Sequence, residues 1–153
     1  MNVIYPPETL ISQKRNEITV FLAGSIEMGT ATKWQDQVID HLNSLPITRH
    51  YTLFNPRRQD WDSTWEQDAR NPNFYQQVNW ELNALDKADK ILMYFDPGTK
   101  SPISLLELGL YASSGKLIVV CPDGFWKKGN VELVCEKYGI PMFDNLTDGI
   151  NNV

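Results

Sequence analysis

The sequence predicts an α/β protein, a parallel β-sheet with helices packed on both faces. Three observations support this. Ile18–Ala23 (ITVFLA) and Lys90–Phe95 (KILMYF) are near-continuous apolar runs rich in β formers, the mark of strands buried on both faces. Such runs alternate with segments of helical periodicity, and that alternation builds parallel sheets through right-handed crossovers. The chain of 153 residues has no internal repeat or low-complexity segment, which suits one domain, residues 1–153, around a single core.

In chain order, Met1 to Glu17 is polar and proline-bearing and is expected to lie over the surface as an arm. The first strand, Ile18–Ala23, ends in Gly24-Ser25-Ile26, and a helix follows from about Ala31 to Ser44 with Trp34, Val38, Ile39 and Leu42 as its apolar face. A strand that passes through a small-residue turn into a helix offers free backbone N–H groups to a ligand. Glycine in such a turn also serves geometry alone. Tyr51–Phe54 is a short second strand, closed by Asn55-Pro56. From Asn55 to Pro72 no periodicity is evident, and loops of that length inside a domain tend to be lids or binding loops.

That loop carries Arg57, Trp61, Asp62 and Trp65, and five aromatics fall between positions 61 and 80, ending with Trp80. Each ring alone reads equally well as a core anchor; the cluster reads as a wall for a planar ligand. Asn73 to Ala88 is the next helix, with Val78, Leu82 and Leu85 spaced for packing and Glu81 beside that stripe. The third strand, Lys90–Phe95, ends at Asp96-Pro97-Gly98. After it come a helix between Ser101 and Gly115, a strand at Leu117–Cys121, a helix from about Asn130 to Tyr138, a short strand at Ile140–Phe143 and a polar tail. Five strands so connected favour a doubly wound, flavodoxin- or Rossmann-like sheet of order 2-1-3-4-5. Its switch point lies between strands one and three, and ligands bind beyond their carboxyl ends, which carry Gly24-Ser25 and Asp96.

The helix from Ser101 to Gly115 (SPISLLELGLYASSG) opens on a proline suited to its first turn and closes toward a glycine suited to stopping it. Its apolar residues are too many for one face, so it is expected to be buried almost all round. Glu107 sits in the middle with no Lys or Arg on the helix to pair with it. A carboxylate buried without a partner costs several kcal/mol, on the order of the transfer penalty of a charged group. An outward-pointing surface glutamate is the plain alternative; a carboxylate lining a cavity, with chemistry to perform, is the reading adopted.

Composition narrows that chemistry. The net charge of −5 lacks the basic footprint of a nucleic-acid binder. Cys121 and Cys135 fall in an apolar strand and a helical pattern, where buried thiols are expected instead of a disulfide. No leader-like start or membrane-length apolar run is present, so no membrane partner and a cytoplasmic location are expected. His41 and His50 are the only histidines, too few and too isolated for a zinc site or a Ser-His-Asp apparatus. No metal and no cofactor are expected. Acid–base chemistry here rests on carboxylates. Two or three of them facing an aromatic-walled cleft suit a glycosidic bond, one carboxylate acting at the anomeric carbon while a proton donor assists the leaving group.

Ser104–Gly115, Gly24-Ser25-Ile26, Asn79-Trp80-Glu81-Leu82-Asn83 and Gly124–Val131 (GFWKKGNV) together resemble the nucleoside 2-deoxyribosyltransferase family, in its branch with an AGSI turn (Ala23–Ile26) and an FNPRR loop (Phe54–Arg58). The likeness extends over nearly all of Val20 to Pro141. It implies a Rossmann-like fold and exchange of the base of a 2′-deoxynucleoside, a salvage reaction, with free purine or pyrimidine as second substrate. Glu107 matches the family's nucleophile, which holds the sugar as a covalent ester, with overall retention. Glu81 falls where the family has an acid near the base, and Asp96 is the second candidate. The resemblance further implies substrate contacts at Gly24, Ser25, Ile26, Asn55, Arg57, Trp61, Asp62, Trp80 and Ser104. The resemblance also implies that Asn130 completes the sugar site, in a neighbouring subunit of a homo-oligomer.

Two positions depart from the pattern. Val20 stands where some members carry a tyrosine, and Ser101 stands where the family has an acid six residues before the nucleophile, so Asp96 is assigned from its place at the strand end. Plain structural roles remain for the lesser acids: Glu81 as an exposed helix residue, Asp96 as a cap of the following turn. Two other functions fit the same fold. One is an N-glycosidase of deoxynucleoside 5′-monophosphates, whose turn after GSI carries arginine; here Glu27-Met28-Gly29 puts a negative charge there and favours nucleosides. The other is a non-catalytic nucleoside or nucleotide sensor.

Overall fold

The computed structural model describes residues 1–11, 17–26, 32–46, 50–58, 62 and 64–153. Among them six strands form one parallel sheet: β1 (Asn2–Ile4), β2 (Glu17–Gly24), β3 (His50–Phe54), β4 (Lys90–Tyr94), β5 (Leu117–Val120) and β6 (Met142–Phe143). Their order is β1-β3-β2-β4-β5-β6. The five strands expected from the sequence keep their expected order among themselves, and the count of five is corrected at the edge. The N-terminal arm supplies β1, which pairs with β3 from Asn2↔Thr52 to Ile4↔Phe54. Three residues are too few to show a strand pattern; what makes them a strand is a partner fifty positions away. The arm then crosses a helix of the next layer, where the Trp80 indole N–H donates to Glu8 O at 2.8 Å.

The helices are α1 (Trp34–Ser44), α2 (Pro72–Lys87), α3 (Pro102–Tyr111), α4 (Lys128–Tyr138) and α5 (Leu146–Ile150). Helix α2 starts where Asn71 Oδ1 accepts from the Asn73 and Phe74 amides, with Pro72 at the first helical position. The tail, expected to be merely polar, folds into α5 behind an Asn145 cap that accepts from Asp148 N at 2.9 Å. Helix α5 can lie against the sheet because of Gly149, whose missing Cβ would stand 2.2 Å from Val120 Cγ2.

Two apolar layers flank the sheet. Phe21, Ala23, Ile91, Met93 and Val119 face α2, α3 and α4, while Val20, Leu22, Leu92, Ile118 and Val120 face α1 and α5. The strands are therefore buried on both faces, as their near-continuous apolar runs require. Cys121 and Cys135 are both buried and free of disulfide. Described residues between 55 and 71 hold only turns and bends, so the long aperiodic loop stands as expected. Among the described residues no helix is long and apolar enough to cross a membrane.

Helix α3 departs from expectation. It ends at Tyr111, four residues before Gly115, which takes its left-handed φ of 72° in the turn beyond. It is also not buried all round: Ile103, Leu106 and Leu110 are 60%, 59% and 58% exposed. The helix lies over the sheet as an ordinary outer layer, and its second apolar face stays exposed.

The direction of winding reverses between β2 and β4. Their carboxyl ends are drawn together as Ser25 N donates to Tyr94 O at 3.1 Å. Gly24 makes that approach possible. Its φ is 140°, and a Cβ there would lie 2.3 Å from Tyr94 O. Gly24→Ala is therefore expected to destabilise the fold by about 2 kcal/mol or more, from strain and a clash with immobile backbone, as read by urea unfolding.

Candidate functional site

The crevice at the switch point is built from short loops held by hydroxyls. Ser25, buried at the end of β2, meets Thr99 Oγ1 at 2.8 Å and Ser101 Oγ at 2.5 Å, and Thr99 and Ser101 close the triangle at 2.7 Å. The Asp96 amide donates to Ser25 Oγ and Thr99 Oγ1 donates to Asp96 O. This network seats Ser101 in a left-handed conformation, φ 46°, from which Pro102 launches α3. The second carboxylate candidate, Asp96, is part of the same framework. Its Oδ2 accepts from Thr32 N and Thr32 Oγ1, and its Oδ1 from Gly98 N. Asp96 thus takes the structural role open to it, tying the turn after β4 to the entry of α1.

Glu107 lies about a turn and a half into α3, which the hydroxyl framework fixes at one end and Leu108 anchors in the core. It is only 7% exposed. Ser104, one turn earlier, is buried on the same side of the helix. Glu81 reaches toward Glu107 from α2, half-buried, its Oε1 accepting a 2.7 Å hydrogen bond from Gln77 Nε2. Burial, and then the negative charge of Glu81, push the Glu107 carboxyl up to about 8. Burial also raises Glu81 above its ordinary value, while the Gln77 hydrogen bond pulls it down. The charge of Glu81 on the neighbouring helix thus adds to burial in favouring the neutral form of Glu107, which keeps its proton near neutrality. One turn beyond Glu107, the Tyr111 hydroxyl donates to Asp86 Oδ1 at 2.6 Å. Burial and the charge of Asp86 push that phenol up to about 12, so it stays neutral.

The other predicted contacts are dispersed. Ile26 is half-buried beyond the β2 turn, and Asn55 is buried, its Oδ1 accepting from Arg57 N at 3.1 Å. Arg57 is half-buried and its Nε has no hydrogen-bond partner. Trp80 does not wall a ligand cleft: it belongs to the core, and its indole N–H is used on the arm. Asp62 is exposed and accepts from Thr64 N and Thr64 Oγ1 in a local turn. Asn130 is exposed on α4. Trp61 lies outside the described residues, as do Glu27-Met28-Gly29. Sequence reasoning passed over Gln77, whose spacing of four to Glu81 on one helix was the available signal. Nothing in the sequence marks the partnership of Thr99 and Ser101 with Ser25. Among the described residues no cluster of three or more His, Cys, Asp or Glu side chains could hold a metal ion.

The elevated Glu107 acid has a consequence for stability. In the unfolded chain its carboxyl loses the proton near 4.5; in the folded chain the proton stays until about 8. The unfolded state thus binds fewer protons over that interval, and stability falls as pH rises from about 4.5 to about 8. Glu107→Gln should remove that fall, so urea unfolding at pH 5 and pH 8 should show the variant gaining on wild type at the higher pH.

Residues 17–125 match the family described as nucleoside 2-deoxyribosyltransferase like. No individually curated protein matches the chain. The family match takes in the switch-point turn, the acid pair and the whole of α3, and stops short of α4 with Asn130. It spans well over half of the sequence, and the chain belongs to the nucleoside 2-deoxyribosyltransferase-like family.

Proposed function

We propose that the chain is a nucleoside 2-deoxyribosyltransferase, exchanging the base of 2′-deoxynucleosides by a retaining double displacement through an ester on Glu107. The observation that carries this reading is Glu107, buried in the middle of α3, with the half-buried, Gln77-bonded Glu81 acting on it from α2. A 2-deoxy sugar lacks the electron-withdrawing 2′-hydroxyl, so positive charge forms readily at C1′. The Glu107 carboxylate attacks C1′ as the C1′–N bond breaks, and the proton of the pair passes by way of Glu81 to the departing base nitrogen. The ester is neutral and Glu81 remains ionised. An incoming base then gives its N–H proton to Glu81 and attacks C1′, which frees Glu107 and returns the proton to the pair. Two inversions leave the β configuration unchanged. Transfer in place of hydrolysis requires that water be kept from C1′; burial of both acids supports that.

Self-association is part of the same reading. Ile103, Leu106 and Leu110 recur at helical spacing on the outside of α3, far more exposed than is usual for three neighbouring large apolar side chains. Helix α3 carries no charge other than buried Glu107, so two copies of a chain of net charge −5 can meet there without like charges facing. A second copy of the chain is the occupant this neutral face suits.

Incubation of deoxyinosine with adenine should yield deoxyadenosine and hypoxanthine by chromatography. Glu107→Gln should lower the rate by roughly a thousandfold or more, the scale of losing a nucleophile; activity within about tenfold of wild type would overturn the assignment. In sedimentation velocity, the wild-type chain should run as an oligomer and Leu106→Glu should shift it toward monomer. A monomeric wild type would exclude the self-association.

A further inference from the structure

Gln77 is placed to control the acid pair. It lies on α2 one turn before Glu81 and is 4% exposed. Its Nε2 donates two hydrogen bonds, to Pro56 O at 2.9 Å and to Glu81 Oε1 at 2.7 Å. Both amide hydrogens are thereby used, while Oε1 has no hydrogen-bond partner among the described residues. The opposite amide orientation would set Oε1 against a carbonyl and a carboxylate, acceptor against acceptor, so the orientation is fixed. A buried carbonyl without a partner is destabilising. The fold tolerates it to keep an N–H on Glu81, and it holds that N–H in place through Pro56, at the root of the long loop.

We propose that Gln77 is a positioning residue that holds Glu81 as the proton acceptor of the pair. The proposal deepens the transferase reading and rests on it for its functional meaning. A donor fixed on Oε1 favours ionised Glu81 and leaves its other oxygen for the proton in transit. With Glu107 protonated, the empty enzyme keeps its nucleophile inactive. Binding of a deoxynucleoside gives the proton somewhere to go, the leaving nitrogen, and only then does Glu107 become a carboxylate. Among the described residues, the titratable groups linked to the pair are Tyr111 on α3, on which the charge of Glu107 acts, and through its hydroxyl Asp86 on α2.

Substrate-free enzyme labelled with ¹³C at the glutamate carboxyls tests this without turnover. In wild type, the high-pH step should appear on the Glu107 carbon and the low-pH step on Glu81, and the Gln77 side-chain amide proton should shift with the low-pH step. In Gln77→Met, which keeps the volume and removes the donor, the high-pH step should rise by about one unit, a tenfold gain in proton affinity, and move largely onto the Glu81 carbon. In a Glu81→Gln background the same substitution should leave the Glu107 midpoint unmoved. A folded Gln77→Met protein with unchanged titrations would overturn the proposal. So would a wild-type Gln77 amide proton blind to the low-pH step, a measurement that needs no variant to fold. Failure of the transferase reading would show separately, as absent base exchange in an enzyme whose carboxyls titrate as described.

Discussion

The constraint on which the rest of this structure depends is the burial of the Glu107 carboxyl near the half-buried carboxyl of Glu81. Left ionised together, Glu107 and Glu81 would repel in a medium that screens poorly, and each would lack the hydration it had in the unfolded chain. The fold answers with a proton and an amide. Burial raises both acids until one stays protonated, and Gln77 supplies the hydrogen bond that the other needs. Neither acid could hold this position on a mobile element. Both stand on helices whose inner faces are locked into one apolar layer, through Trp80, Ala84 and Leu85 on α2 and Leu108 on α3. The stability of that layer offsets the cost of the pair.

The crevice above the pair follows the same logic with neutral groups. Ser25, Thr99 and Ser101 satisfy one another and the Asp96 backbone, so a tight crossing of loops is made without buried orphan hydroxyls. Asp96 is drawn into this framework because three donors, two from Thr32 and one from Gly98, converge on its carboxylate. Position at the end of a central strand marked it as an acid of interest, but its donors decide what it does.

Much of the fold was legible because its signals are local. The apolar runs of β2 and β4, the alternation with helices and the reversal between them all follow from residues near in sequence, and the sheet order of five strands with them. Strand β1 was not legible, since Asn2–Ile4 becomes a strand only by pairing with Thr52–Phe54. Glu107 could be singled out because an acid amid leucines violates the local pattern, and violations of that kind collect at sites. Trp80 was misread for the converse reason: an indole looks the same in sequence whether its N–H awaits a ligand or is already spent on Glu8 O. Gln77 drew no notice because a glutamine on a helix is ordinary until its amide is seen to be buried.

Helix α3 joins the two properties that set this protein apart. By helix geometry Glu107 is turned only about 40° from Ile103 and about 60° from Leu110, so the buried acid borders the exposed apolar stripe. The acid is nonetheless 7% exposed while those neighbours are near 60%. A second copy resting on Ile103, Leu106 and Leu110 would complete the enclosure from the open side. It would thicken the low-dielectric surroundings of the pair and remove water from its edge, and both effects strengthen the hold of Glu107 on its proton. Under the proposed self-association, assembly and acid–base poise would be a single adjustment made through one helix.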